Sequence, residues 1–309
     1  FFPYIGYYIV KEDTNDIPYA IGAALGLFLL IPPFFALCGI VMKWLVIGKM
    51  QEGDYPLWGT YYFRWWFVKT MQQLLPSQFL NGTPLYGGYL RRLGVKVAKD
   101  AQLGPMTIGA EDLVTIGSDV SISSQAVLNN AFVEDGLLKL RRIHLGNHAY
   151  VGSSAVVGAG ATIEDWGELQ DLSYLPAGKT IGVGEIWQGS PAALKEKKPI
   201  EEFPQPLPIS TLKRRVYSWI FTISLLIFPV VVLLPLLPTI IVIHNLDNST
   251  PDYDFSYLTV TPSLALSYII LFTITTVLLS RLLLWGIKPG KFPIYSWFYV
   301  RKWFADQLM

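Results

Sequence analysis

The sequence predicts a left-handed parallel β-helix of hexapeptide repeats inserted between transmembrane α-helices. Two observations carry that fold class. Every sixth residue from Leu145 is apolar: Leu145, Val151, Val157, Ile163, Leu169, Leu175, Ile181 and Trp187. Long apolar stretches lie on both sides of that run, in a chain of 309 residues that is 52% apolar and only 15% charged. A soluble protein averages about 25% charged residues.

The repeat comes first because it organises the rest. Two places before each of the first five large residues sits a companion: Ile143, Ala149, Ala155, Ala161 and Gly167. Residues two apart on a strand share a face, so each pair points the same way. Gly146, Gly152, Gly158 and Gly182 follow the apolar residue where the chain must turn. An α-helix would scatter a six-residue period around its surface; a coil with three short sides requires it. The hexads begin earlier, with Val97 and Leu103, then Ile116, Ile122 and Leu128. Leu103 to Ile116 is thirteen residues, one over two hexads, and Leu128 to Leu145 is seventeen, one short of three. Both slips predict loops thrown out of the coil, and the second, Asn129 to Arg142, is expected to carry function. At about 18 residues per turn, the β-helix domain of 95–192 holds roughly five turns.

Around it the elements fall in order. Residues 1–49 read as the end of an outer loop and a transmembrane helix, apolar over 17–47 and kinked at Pro32-Pro33. Residues 50–94 crowd aromatic and basic side chains (Arg64-Trp65-Trp66-Phe67) into an interfacial helix and linker. Residues 193–215, with Leu194-Lys195-Glu196-Lys197-Lys198, read as a polar cap or a helix peeling away, then a linker. Residues 216–287 hold two further spans, Val216 to His244, interrupted by prolines and readable also as a re-entrant hairpin, and Leu264 to Ile287, with an outer loop at 245–262. That loop is acidic and carries Asn248-Ser249-Thr250, a glycosylation-type triplet. Bases such as Lys43, Lys49, Arg64, Lys69 and Lys213-Arg214-Arg215 flank the spans on the β-helix side. The positive-inside rule therefore predicts a multi-pass integral membrane protein with a cytoplasmic β-helix. Residues 288–309 repeat the earlier interfacial segment: Gly290, Pro293, Arg301, Trp303 and Phe304 match Gly53, Pro56, Arg64, Trp66 and Phe67 at a constant offset. The expected architecture is a tandem array of such units, of which this chain is an excerpt.

Several function classes fall away. A net charge of +1 without a basic-aromatic patch gives no reason to expect nucleic acid. The single cysteine, Cys38, excludes an intrachain disulfide framework, and no zinc-ligand spacing occurs, so no metal is expected.

Leu145-Gly146-Asn147-His148-Ala149-Tyr150-Val151-Gly152 and the closing Gly189-Ser190-Pro191-Ala192 resemble hexapeptide-repeat acyltransferases, which take an acyl group from a pantetheine thioester. Together with Asp54-Tyr55-Pro56-Leu57-Trp58, Asn81-Gly82-Thr83-Pro84 and the tandem spans, the chain is similar to the C-terminal region of poly-lysine-synthetase-like nonribosomal peptide synthetases. The resemblance implies that the unit forms amide bonds from aminoacyl groups. The donor would be a phosphopantetheine thioester on a partner carrier domain, with no cofactor bound by this segment. Partners would be that carrier domain, neighbouring repeat units and the lipid bilayer. In this family a histidine stands three residues before Glu-Asp-Gly; here Glu134-Asp135-Gly136 is preceded at that distance by Ala131.

The candidate catalytic residues are Glu134, Asp135 and His148, and the candidate substrate- and carrier-binding residues are Asn129, Asn130 and Trp187. Acyl transfer to an amine needs a base and donors for the tetrahedral oxyanion. Each candidate also has a plain structural role: a turn device before Gly136 for the two acids, a solvated coil corner for His148, a plug over the last turn for Trp187. His144, between Ile143 and Leu145, reads as a surface residue. An alternative function is a non-catalytic scaffold or export unit, which Ala131 motivates, and another is a free-standing membrane acetyltransferase.

Overall fold

The computed structural model describes residues 17–74, 80–98, 100–203, 210–239, 241–242, 257–286 and 292–308. The chain divides into two compact units, residues 32–209, and residues 1–31 with 210–309. The outer-loop segment at the N-terminus, His244, and the acidic loop around Asn248 lie outside the described residues.

In the unit of residues 32–209 the chain enters along helix α1 (Ile17–Val46), which continues through Pro32-Pro33. Strand β1 (Gly53–Pro56), helix α2 (Thr60–Leu74) and helix α3 (Pro84–Leu93) follow. The coil then begins with β2 (Lys96–Val97), β3 (Gln102–Leu103), β4 (Met106–Ile108), β5 (Val114–Ile116), β6 (Ser121–Ile122) and β7 (Ala126–Leu128). An antiparallel hairpin, β8 (Ala131–Glu134) and β9 (Leu137–Leu140), interrupts it. The coil resumes with β10 (Ile143–Leu145), β11 (Tyr150–Val151), β12 (Val156–Val157), β13 (Thr162–Ile163), β14 (Glu168–Leu169), β15 (Tyr174–Leu175) and β16 (Thr180–Ile181). It closes with β17 (Glu185–Gly189) and β18 (Ala192–Lys197).

These strands build a three-sided β-solenoid. One side stacks β2, β5, β10, β13 and β16, a second β3, β6, β11, β14 and β17, and the third β4, β7, β12 and β15. Neighbours within each stack are parallel, with His144 opposite Thr162 and Thr162 opposite Thr180, one full turn apart. The inward hexad positions are dry: Leu128, Leu145, Val151, Val157, Ile163, Leu169, Leu175 and Ile181 are all fully buried. The alanines two residues earlier, Ala149, Ala155 and Ala161, are buried as well. At Gly152 even a methyl would not fit, since its Cβ would lie 2.4 Å from the Asp171 nitrogen in the next turn. Several corners place non-glycine residues at positive φ, His148 and Trp166 among them. That uncommon conformation is compensated by inter-turn hydrogen bonds such as His148 N–H to the Ser118 carbonyl at 2.8 Å.

Both slips in the hexads are structured. The first holds a short 3₁₀ turn, Glu111–Leu113, and the second is the β8–β9 hairpin rather than a loose loop. β1 pairs antiparallel with β9, so residues 53–56, expected within the interfacial helix, are instead a strand of a three-stranded sheet. Leu138 and Leu140 of β9 are fully buried in a second core with Ile47, Met50, Val68 and Leu113. At the far end, β18 runs antiparallel to β17 and covers its edge. An uncovered edge invites association, and a strand rather than a peeling helix resolves it here.

The 3₁₀ turn clasps two helices. Lys43, in the last turn of α1, is fully buried with its Nζ 2.7 Å from Asp112 Oδ2, which also accepts the Met50 N–H at 2.9 Å. Lys69 of α2 pairs with the adjacent Glu111. Two bases read from sequence as flanks of a span are thus internal ties between helices and coil.

In the other unit, helix α4 (Thr211–Leu233), helix α5 (Tyr257–Leu283) and helix α6 (Trp297–Leu308) are the main described elements. The apolar helical stretches Thr211–Thr239 and Thr259–Leu283 are long enough to cross a membrane. α6 buries Val300 and Trp303 against Phe221 of α4.

The sequence repeat is also a structural repeat. α2 and α6 begin at Thr60 and Trp297, the same 237-residue offset as Gly53 to Gly290. Tyr55 and Tyr61 stack at 3.8 Å, and their counterparts Phe292 and Phe298 stack at 3.9 Å. Arg64 donates to the Val46 carbonyl at the end of α1, and Arg301 to the Trp285 carbonyl just past α5 at 3.0 Å. In each copy the guanidinium caps the orphan carbonyls of the preceding apolar helix, where a cation is also favoured by the helix dipole.

Candidate functional site

The residues singled out from sequence do not come together. Glu134 and Asp135 sit at the exposed hairpin tip, both reaching Lys139, at 2.8 and 3.2 Å. Asp135 and Gly136 have φ of 53° and 72°, the pair of left-handed residues that a two-residue type I′ hairpin turn requires. His148 lies on a coil corner, its ring stacked 4.1 Å from Trp166. His144 is exposed. Trp187 packs partly buried over the end of the coil and donates its indole N–H to Glu185 at 3.1 Å. Asn130 is fully buried, and its amide imitates a strand. Its Oδ1 accepts from Ala110 N–H at 2.8 Å and its Nδ2 donates to the Ala110 carbonyl at 2.7 Å. Of these residues, Asn129 lines the cleft at the base of the hairpin.

That cleft, of about 730 Å³, is formed by α2, α3 and the first turns of the coil at the hairpin base. The first slip in the hexads supplies its charge. The 3₁₀ turn presents Glu111, which is 3% exposed. Lys69 Nζ lies 2.5 Å from Glu111 Oε1 and also donates to the Ile108 carbonyl at 2.8 Å and to Gln72 at 3.3 Å. Lys69 is therefore held by three acceptors. Glu111 Oε2, by contrast, accepts no hydrogen bond. A buried carboxylate oxygen without a donor is costly, and this one lies covered behind the cleft wall.

Two phenols from α3 face the same space. Burial, and then the negative charge of Glu111, push Tyr89 up to about 12. Burial also pushes Tyr86 up to about 12, against a hydrogen bond to the Met106 backbone. Both stay protonated and are donors at neutral pH. Ala131 and Asn129 complete the wall beside Gly109. The position at which the resemblance calls for histidine therefore borders the cleft that holds Glu111. The arrangement sets a buried carboxylate and two phenols beside an apolar floor that includes Leu128 and Met106. Among the described residues no group of three or more His, Cys, Asp or Glu is placed to hold a metal.

Glu111, Lys69, Tyr86 and Tyr89 were not among the residues expected from sequence. The signal that pointed to Glu111 was the thirteen-residue spacing from Leu103 to Ile116, the weaker-looking of the two slips.

No family model matches the chain. It is 30% identical over 321 aligned residues to the delta-poly-L-ornithine synthetase of Acinetobacter baumannii (strain AB307-0294), an alignment that takes in 99% of this chain and 24% of the relative. The chain thus spans about a quarter of that protein's length. Among solved structures, a maltose O-acetyltransferase from Clostridium difficile 630 is 14% identical, with 50% of this chain and 96% of that chain covered, at a TM-score of 0.38. A hexapeptide-repeat containing acetyltransferase from Vibrio cholerae is 11% identical, with 53% and 91% covered, at a TM-score of 0.30. Likenesses at this level add nothing to the solenoid, which stands on its own strand register.

Proposed function

We propose that this chain is an acyl-transfer unit of a membrane-bound poly-amino-acid synthetase, joining carrier-tethered aminoacyl groups to an amine in the cleft around Glu111. The observation that carries the reading is the 30% identity, running through 99% of the chain, to a protein named as a polyornithine synthetase. The donor in this reading is an aminoacyl thioester on the phosphopantetheine arm of a carrier domain. The amine nitrogen forms a bond to the thioester carbonyl carbon and the carbon–sulfur bond breaks. Glu111 Oε2, covered in this structure, is uncovered as the substrate enters and takes the proton from the amine, and the departing sulfur receives one. Tyr89, kept protonated by its surroundings, is the donor at hand for the oxyanion. Lys69 is a positioning residue: it holds the other carboxylate oxygen and leaves Oε2 free.

The finer reading of the architecture belongs to the same proposal. α1, α4 and α5 each cross a lipid bilayer, the coil is left-handed and lies on the cytoplasmic side, and neighbouring repeat units flank it.

Polymer formation by the full-length protein in isolated membranes tests the cleft. Glu111→Gln keeps the shape and a hydrogen bond to Lys69 but removes the base. Turnover should fall by about 10²-fold or more, the lower end of what a general base contributes. Turnover within about twofold of wild type in a normally inserted variant would reject the assignment. One observation favours a second reading, a non-catalytic scaffold: Ala131 stands in the cleft wall where the resemblance calls for histidine. Under that reading Glu111→Gln and Ala131→His both leave turnover unchanged.

A further inference from the structure

The two copies of the internal repeat differ in what covers one face. In the second copy three residues lie against α4. Tyr295 meets Tyr217 with ring centroids 6.4 Å apart, Trp303 meets Phe221 edge-on at 5.4 Å, and Val300 is 4% exposed in the same cluster. The residues 237 positions earlier are Trp58, Phe63 and Trp66. They are 96%, 62% and 46% exposed.

The face is apolar in both copies, although the rest of the helix is not held constant. Trp65, which donates to the Gly109 carbonyl of the coil, has Lys302 as its counterpart, and Lys69, which holds Glu111, has Asp306. So the coil-facing side of α2 changes character in α6, while the side that α4 covers keeps large apolar residues. The local geometry is shared as well: the stacked ring pair and the arginine cap recur in both copies. Phe63 and Trp66 lie with ring centroids 5.9 Å apart, and the almost wholly exposed Trp58 stands in the turn just ahead of α2; exposed apolar side chains so grouped mark an interaction surface.

We infer that the apolar patch of Trp58, just ahead of α2, with Phe63 and Trp66 on α2, is the docking surface for an apolar helix of the α4 kind, supplied by the same polypeptide ahead of residue 1. α4 precedes α5 and α6 in the chain, and applying the same offset to α1 and α2 places the corresponding helix before Phe1. The polyornithine synthetase relative is about four times as long as this chain, so such a protein has room for it. A second copy of this chain fits less well, because its own α4 already has its Tyr217–Phe221 face filled by its own α6. Aromatic side chains one helical turn apart, as Tyr217 and Phe221 are, give the occupant its chemistry: a ridge that seats between tryptophans by edge-to-face contact.

The full-length polypeptide in its membrane tests this with a photo-crosslinking residue, p-benzoyl-phenylalanine, placed at Trp66 in one variant and at Trp303 in another. Mass spectrometry then identifies what each probe has captured. The probe at 303 should capture α4 around Phe221. The probe at 66 should capture, within the same polypeptide, an apolar helical peptide ahead of residue 1. Capture at 66 of lipid alone, of a separate copy of the protein, or of nothing while 303 reports α4, would each overturn the inference. Failure at 303 to capture α4 removes the template and overturns it equally.

Discussion

At the scale of single residues the structure separates neighbours that look alike in sequence. Asn129 and Asn130 were both candidates for binding, but only Asn129 borders the cleft, whereas Asn130 satisfies both backbone groups of Ala110. Asn130→Leu leaves the Ala110 N–H buried without a partner, at about 1–3 kcal/mol, while the Ala110 carbonyl keeps the Leu113 N–H at 3.3 Å. Denaturant unfolding of the purified chain should show a loss in that range, whereas Asn129→Ala should stay within about 0.5 kcal/mol of wild type. A second prediction concerns acid. Glu185 accepts from Gly182 N–H at 3.0 Å, from the Trp187 indole at 3.1 Å and from Lys197 at 3.4 Å, and these bonds hold its carboxyl below the ordinary value of 4.5. A carboxyl that binds its proton less tightly when folded adds stability above the unfolded pKa and loses it as pH falls through the folded one. The stability advantage of wild type over Glu185→Gln should be complete at pH 7 and shrink below about pH 4.5. An advantage that grows on acidification would contradict the assigned bonds.

At the scale of elements, the strongest test is the clasp between helices and coil. Removing one partner of a buried pair strands the other charge, at about 3–5 kcal/mol. Lys43→Met should therefore lower the unfolding midpoint sharply, with Asp112→Leu added in the same chain restoring part of the loss. No change on Lys43→Met would mean that the pair is open to water. That clasp was not legible in the sequence, because Lys43 and Asp112 stand 69 residues apart and Lys69 and Glu111 stand 42 apart. A long-range pair leaves no periodic trace. The coil was legible because its period is written into every turn, as Leu145, Val151 and Val157 illustrate. Its interruptions were legible only as spacings: the counts located the excursions but not the 3₁₀ turn or the hairpin within them. β1 escaped notice because Gly53, Asp54 and Pro56 are poor strand formers. It forms at a sheet edge, pairing only with β9, where a proline is tolerated. Of the two expectations for β18, a polar cap or a peeling helix, the helix failed for the opposite reason. Ala192-Ala193-Leu194-Lys195-Glu196-Lys197 is made of good helix formers, yet the open edge of β17 imposes a strand. The cleft inherits the same limit: its acceptor lies on the excursion, while its donors come from α3.

At the scale of the whole molecule the remaining question is what surrounds the apolar helices. Along α5, Leu266, Ile269, Ile270, Ile274, Val277, Leu278 and Leu282 are all about half exposed or more. Their spacing of three and four residues makes a continuous stripe, far more apolar surface than a water-facing helix carries without a partner. α5 has 27 residues, about 40 Å at 1.5 Å each, which exceeds the roughly 30 Å of a bilayer core. If lipid covers this stripe, the protein should stay in the membrane pellet after alkaline carbonate extraction. Ile270→Arg, which puts a guanidinium on the stripe at the middle of α5, far from the natural Arg281 in the last turn, should cost about 2.5–3.5 kcal/mol of insertion at mid-span and shift protein towards the soluble fraction. Sidedness is a separate matter, because the two bases tied up with Glu111 and Asp112 no longer count as exposed flanking charge. What remains for the positive-inside argument is chiefly Lys49, Arg64 and the Lys213-Arg214-Arg215 run, and Arg64 is engaged with the end of α1. The decisive measurement is labelling with a membrane-impermeant maleimide in a Cys38→Ser background. The cysteine goes at Lys179, on an exposed corner of the coil. A cytoplasmic coil predicts labelling only after the membrane is opened, and labelling of intact cells would turn the topology over.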